Sequence, residues 1–303
     1  MLSTLTAQPI TAPTLWAPPS LEAALNPEPL SADDEREALA FLAERPLHTV
    51  IMSGLIRDNG VESGLNRGDF YACRDGRGRL EGVALIGHAT LVEARTERAL
   101  AAFARLALAC SGTHMIMGEQ ELIASFWRGY SEGGREFRLA CREMLFELRR
   151  PVAVGETVAG LRPATADDLE LIIPVQAGLA RDESGVDPRE ADPEGFRRRT
   201  ARRVAQGRTW VVVSGGRLTF KAEVQSETPE VIYLEGIHVD AAQRGKGFGA
   251  HCLSQLSLSL LGRAASVCLL ANERNREAHA LYRKVGFRFR CVYDTIFLRH
   301  KTD

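Results

Sequence analysis

The sequence predicts an α/β (α+β) protein of two domains, each a mixed, twisted, mainly antiparallel sheet flanked by helices. Three observations carry this. The chain has 303 residues, 45% hydrophobic and 25% charged, an ordinary globular composition at a length beyond one typical domain. A plan of strand hairpin, strand, helix, strand, helix and closing strands occurs twice. Between the two occurrences, Pro151 to Thr157 is a run of Pro, Gly and small residues that breaks the pattern. The expected division is a loose extension over 1–25, one domain over 26–150 and a second over 151–303.

In the first half, Ser31-Ala32-Asp33-Asp34-Glu35 caps a helix through Leu42, with acids in the first turn where the helix dipole favours them. Phe70 to Arg74, the turn Asp75 to Gly78 and Leu80 to Ile86 form a hairpin. His88 to Glu93 is the next strand, His114 to Met117 a short apolar one, and each is followed by a helix. In the second half Thr165-Ala166-Asp167-Asp168 caps a helix carrying Leu169, Leu171, Ile172 and Ile173. The hairpin returns as Thr209 to Val213, Ser214-Gly215-Gly216 and Leu218 to Val224, with Gly-Arg-Leu closing the turn in both halves. Met144-Leu145-Phe146-Glu147-Leu148-Arg149 and Thr295-Ile296-Phe297-Leu298-Arg299 are the matching end phrases. Alternating strands and helices argue for layered α/β structure, and the repetition suggests an internal duplication.

Charge and composition exclude several functions. Thirty-eight basic against 39 acidic side chains give a net charge of −1, so no broad cationic surface for nucleic acid is implied. No apolar stretch reaches the roughly 20 residues needed to cross a bilayer, and the Pro-rich start lacks the pattern of a secretory signal. A soluble, cytoplasmic protein is expected. The six cysteines contain no CxxC pair and read as buried free thiols, with no metal site implied. Cys252 follows His251, but adjacent helix residues do not face each other, which argues against a nucleophilic pair.

Chemistry concentrates in the second half. Val231 to Val239 is a central strand, apolar apart from Glu235 and His238. It runs into Arg244-Gly245-Lys246-Gly247-Phe248-Gly249, and a helix with Leu253, Leu256 and Leu260 on one stripe follows. A glycine-rich turn between a buried strand and a helix offers backbone N–H groups and a positive dipole end to an anion; the bland alternative is a tight connection with incidental basic residues. The GxGxG spacing and the lack of an acidic residue near Ala265 fit a dinucleotide site poorly, and no GxxxxGK[ST] sequence is present. Glu235, read by simple alternation, shares a face with Tyr233, Ile237 and Val239, a carboxylate among apolar neighbours whose pKa would rise toward that of a general base. A structural ion pair is the equal alternative. His238 then falls on the opposite face. Farther back, Asp182, Glu183, Asp187, Glu190, Asp192 and Glu194 form either an acidic rim suited to a cationic amine or a solvated run balanced by Arg197, Arg198, Arg199, Arg202 and Arg203.

The pair formed by Arg244-x-x-Gly247-x-Gly249 and Asn275-Arg276-Glu277-Ala278-His279-Ala280-Leu281-Tyr282-Arg283-Lys284-Val285-Gly286-Phe287 resembles the two signature motifs of the GNAT (Gcn5-related N-acetyltransferase) superfamily, in order and in spacing. The resemblance covers about Val158 to Arg299. It extends to a tandem type of two GNAT-like halves with a degenerate first half. It implies acetyl-CoA or another acyl-CoA as co-substrate and a small-molecule or peptide amine as acceptor. By the same resemblance Ile237, His238 and Val239 border the cofactor, Arg244 to Gly249 hold its pyrophosphate, and Asn275 and Ala278 contact its arm. Tyr282 protonates the departing thiolate, and Glu235 is the candidate base. The family often has proline soon after the strand, where this chain has Ala241-Ala242. A non-catalytic acyl-CoA sensor is the competing function, though it needs only the loop; aminoacyl transfer from tRNA is disfavoured by the balanced charge. The first half reads Ala94-Arg95-Thr96-Glu97-Arg98-Ala99 where a glycine loop would fall, so one acyl-CoA per chain is expected.

Overall fold

The computed structural model describes residues 25–150 and 157–299, so the N-terminal extension and the linker expected at Pro151 to Thr157 fall almost wholly outside the described residues. The chain forms two compact units, and no single cut separates them. Described residues of Met1–Glu143 and Val292–Asp303 make the first, and those of Met144–Cys291 make the second. This differs from a division at 150/151 in a specific way: the end phrase of each half lies in the other unit. Phe146 and Leu148 are buried in the core of the second unit, whereas Ile296 and Leu298 are buried in that of the first. The two phrases are alike in apolar alternation, so sequence pattern alone does not say which sheet each completes.

The first unit runs β1 (Glu28–Pro29), α1 (Glu35–Leu42), α2 (Pro46–Asn59), β2 (Gly68–Arg74), β3 (Leu80–Gly87), β4 (Ala89–Ala94), α3 (Glu97–Ala109), β5 (Met115–Glu119), α4 (Gln120–Ser131) and the start of β6 (Phe137–Leu148), whose residues from Met144 on belong to the second unit. Strands β1 to β4 are successively antiparallel, and β4 pairs with β5 in parallel. Tyr293 to Phe297, from the end of the chain, lie antiparallel to β5. Period-two alternation divides β3 between two cores. Val83 and Leu85 pack with α1 and α2, while Ala84 and Ile86 pack with α3 and α4.

The second unit repeats the plan with β7 (Arg162–Pro163), α5 (Leu169–Ser184), α6 (Pro188–Ala191), α7 (Pro193–Ala205), β8 (Thr209–Ser214), β9 (Arg217–Glu227), β10 (Val231–Val239), α8 (Phe248–Leu261), β11 (Ser266–Asn272), α9 (Arg276–Val285) and β12 (Arg288–Leu298), the last crossing back to the first unit. Strands β7 to β10 are antiparallel and β10 pairs with β11 in parallel. The expected capping boxes are present, Ser31 with Asp34 and Thr165 with Asp168, each before the first helix of its half. Among the described residues no helix is long and apolar enough to cross a membrane.

Two features of β10 position the site. It pairs with β11 only over Val231 to Leu234, opposite Ser266 to Leu269, and with β9 as far as Val239. The two strands therefore part after Leu234 and Leu269. The second feature is a β-bulge between Glu235 and His238, in which Gly236 has φ +60°. That conformation is open to glycine and costly for a side chain bearing Cβ.

Candidate active site

The glycine loop sits where β10 ends. Asp240 caps a short 3-10 turn by accepting from Ala242 N at 2.9 Å, and Arg244 Nε donates to Val239 O at 3.0 Å. Gly247 then opens α8 from the left-handed region at φ +83°. Gly249 lies so close to the strand that a Cβ there would come within 2.8 Å of Val239 Cγ2. No side chain caps α8, and its first turn carries no acid, so its leading N–H groups face outward as a positively polarised cradle. A Cβ at Gly247 would meet nothing nearer than 3.9 Å, the nearest atoms including His251 Nε2 and Lys284 Nζ. The cradle is thus open above, with Arg244, Lys246 and Lys284 contributing charge around it. Lys284 belongs to the second motif, yet sequence spacing gave no sign that it reaches the loop from α9.

On α9, Asn275 is the N-cap and its Oδ1 accepts from Ala278 N at 3.0 Å. This capping accounts for its residue type without a ligand and leaves its amide nitrogen outward on an exposed side chain. Tyr282 is buried, 6% exposed, against Phe146 and Phe287 at ring-centroid distances of 5.8 and 6.0 Å. Burial pushes its phenol pKa well above the ordinary value. Among the described residues no group hydrogen-bonds its hydroxyl. His279, one turn earlier, shares the buried face, and its Nε2 lies 3.0 Å from Asn272 O.

The bulge rearranges the faces of β10. Glu235 stands opposite Glu223 and His238 opposite Lys221; because Glu223 and Lys221 are two residues apart on β9, all four point to one side. Ile237 and Val239 pack against the opposite, apolar core. The extra residue at Gly236 breaks the alternation from which Glu235 had been grouped with Ile237 and Val239. Glu235 is also not surrounded by apolar groups. Its Oε1 pairs with Arg203 Nη1 of α7 at 3.0 Å, and its side chain is 32% exposed. Arg203 also binds the buried Glu223 at 2.8 Å. Beside them His238 is half-buried, and burial first, then Arg244 and Lys221, lower its pKa below the usual histidine value. It is therefore a neutral imidazole at pH 7.

Three of the acids farther back are paired. Arg189 holds Asp187 at 2.7 Å, Arg199 holds Asp192 at 2.9 Å, Arg198 reaches Glu194 at 3.5 Å, and Arg197 binds Glu170 of α5 at 2.5 Å. Arginines on α6 and α7 thus balance much of the acidic run. Cys252 is fully buried and burial pushes its thiol up to about 12, which rules out a thiolate nucleophile at neutral pH.

Residues 205–289 match the family model described as an acetyltransferase (GNAT) domain. Solved structures repeat the architecture over nearly the whole chain. A tandem GNAT protein from the clavulanic acid biosynthesis pathway is 18% identical, with 89% of this chain and 98% of that one covered at a TM-score of 0.55. A GCN5-related N-acetyltransferase from Sphaerobacter thermophilus is 13% identical, covering 91% and 96% at 0.54. A Drosophila protein is 14% identical, covering 91% and 98% at 0.63. At these identities the likeness is one of fold. No curated protein is significantly similar in sequence. Residues 205–289 of the second unit thus match a GNAT domain model, and the tandem arrangement of the two halves has a counterpart in fold among the solved structures.

Proposed function

We propose that this protein transfers an acyl group, in the first place acetyl, from acyl-CoA to the nitrogen of a small-molecule or peptide amine. The observation that carries the proposal is the uncapped, acid-free N-terminus of α8, opening onto the part of β10 that has left β11. A pyrophosphate suits the helix amides, and the β11-facing backbone of Glu235 to Val239 suits an extended pantetheine arm. Gly245, Lys246, Gly247, Phe248 and Gly249 supply the amides, while Asn275 and Ala278 flank the arm at the start of α9.

In the reaction the amine nitrogen attacks the thioester carbonyl, a C–N bond forms, and the C–S bond breaks. Tyr282 gives its phenolic proton to the departing sulfur. Burial raises the phenol's pKa, so Tyr282 keeps its proton until the sulfur departs. The proton lost by the amine leaves on the polar face of β10, where Glu235 and neutral His238 stand. Retention of both Glu235 and Tyr282 beside the glycine loop favours catalysis over mere acyl-CoA sensing, which needs only the loop.

Release of free thiol from acetyl-CoA, followed across a panel of amine metabolites and peptide N-termini, tests the proposal. Thiol release that depends on one class of amine is the expected result. Tight acetyl-CoA binding with no amine-dependent release from any acceptor would instead favour the sensor.

A further inference from the structure

One charged group near the bulge is not used by the mechanism above. Lys221, on β9, is fully buried. Its Nζ donates to Gln176 Oε1 of α5 at 2.5 Å and to Gly236 O at 3.2 Å, and lies 3.1 Å from Glu223 Oε1. With Arg203 and Glu235 this makes a network of two cations and two carboxylates. A buried lysine is costly unless its donors are satisfied, and here one donor is spent on the bulge carbonyl. The fit is close. A Cβ at Gly236 would sit 2.9 Å from Lys221 Nζ and 3.2 Å from Gln176 Oε1.

We infer that Lys221 is a positioning residue that fixes the Gly236–Ile237 peptide so that Ile237 N–H is held as a hydrogen-bond donor to the acyl carbonyl. The described peptide bonds are trans, and in a trans peptide C=O and N–H point in opposite directions. Lys221 draws Gly236 O toward β9 and α5. The N–H of the same peptide therefore points away from β9, toward the side where β11 has departed. A cation on the carbonyl also polarises the peptide and strengthens its N–H as a donor. The consequence is selective: CoA and acetyl-CoA share every contact except the one to the carbonyl, so Lys221 should influence only the acylated form.

This inference rests on the acyl-CoA reading of the site, and comparing the two ligands separates their failures. Calorimetric affinities for acetyl-CoA and CoA are measured on the full chain, with the infrared stretch of a ¹³C-labelled thioester carbonyl as a second readout. The wild type should prefer acetyl-CoA, with the bound carbonyl stretch shifted to lower frequency. In Lys221→Met the preference should fall about tenfold and the stretch should return toward its free value, with CoA affinity changed less than twofold. If the unbalanced carboxylate prevents folding, the charge-neutral double variant Lys221→Met with Glu223→Gln should give the same pattern. Equal weakening of both ligands, or an unaltered preference and carbonyl stretch, would overturn the inference. A wild type that binds neither ligand would overturn the acyl-CoA reading and the inference with it.

Discussion

The N-termini of α3 and α8 occupy equivalent places in the two halves, yet one is closed and the other open. At α3 the Thr96 hydroxyl accepts from Ala99 N at 3.3 Å and Glu97 lies in the first turn, so the positive end is already answered by the chain. At α8 neither a cap nor an acid is present, and Gly247 clears the approach. The strands in front of the helices part in both units: β4 pairs with β5 only at Ala89 and Thr90. In the first unit, Arg45 at the N-cap of α2 binds Glu93 of β4 at 3.1 Å and Glu119 of β5 at 2.5 Å, tying the parted strands together. His48 joins this cluster, its Nδ1 3.0 Å from Tyr293 Oη. The splayed strand pair thus belongs to both units, and the difference lies in what fills the gap and what satisfies the helix end.

Changes on the open side should have the largest effects. Gly247→Trp forces a bulky side chain and a strained left-handed backbone into the cradle, and acyl-CoA binding should fall by at least about 100-fold in calorimetry, roughly 2.7 kcal/mol. Tyr282→Phe should lower kcat about 100-fold with little change in KM for acetyl-CoA. Since burial raises the Tyr282 pKa, no loss of activity from its ionisation is expected between pH 6 and 9; a descending limb in that range that vanished in Tyr282→Phe would count against this assignment.

Changes on the closed side should alter stability and leave acyl-CoA binding alone. Arg45→Met strips a cation from Glu93, which is only 6% exposed and whose pKa is raised, mainly by burial. An acid with a raised folded pKa binds its proton more tightly folded than unfolded, so stability falls as pH rises from the unfolded value through the folded one. Removing Arg45 widens that window upward. The loss, about 1–2 kcal/mol after allowance for the partly exposed arginine, should therefore be larger at pH 7 than at pH 4.5 in chemical denaturation. The smallest effect should be that of Thr96→Ala, about 1 kcal/mol for a lost helix cap, with unchanged ligand affinity.

Much of the candidate site is legible because the residues proposed for it are close together in sequence. The loop from Arg244 to Gly249 and the helix from Asn275 to Phe287 carry their spacing in short runs, and the structure forms α8 and α9 there. What sequence could not supply depends on tertiary contacts or on a broken period. A single glycine at 236 reverses the face of His238 relative to Glu235, and period-two counting cannot detect it. The Arg203–Glu235 pair joins residues 32 positions apart, and Lys284 reaches the glycine loop from a separate helix. The exchange of end strands was hidden by the similarity of the two phrases. It also means that a fragment cut at residue 150 would lack the strand that completes its own sheet, so the intact chain is the proper object for binding work.

The stoichiometry of acetyl-CoA binding to that intact chain, titrated calorimetrically with Gly247→Trp as its control, tests the contrast between the halves most directly. One site per chain, lost in the variant, is the predicted result; two sites per chain, or a full-strength site surviving Gly247→Trp, would contradict it by showing that the first unit binds the cofactor despite Thr96, Glu97 and the Arg45 bridge.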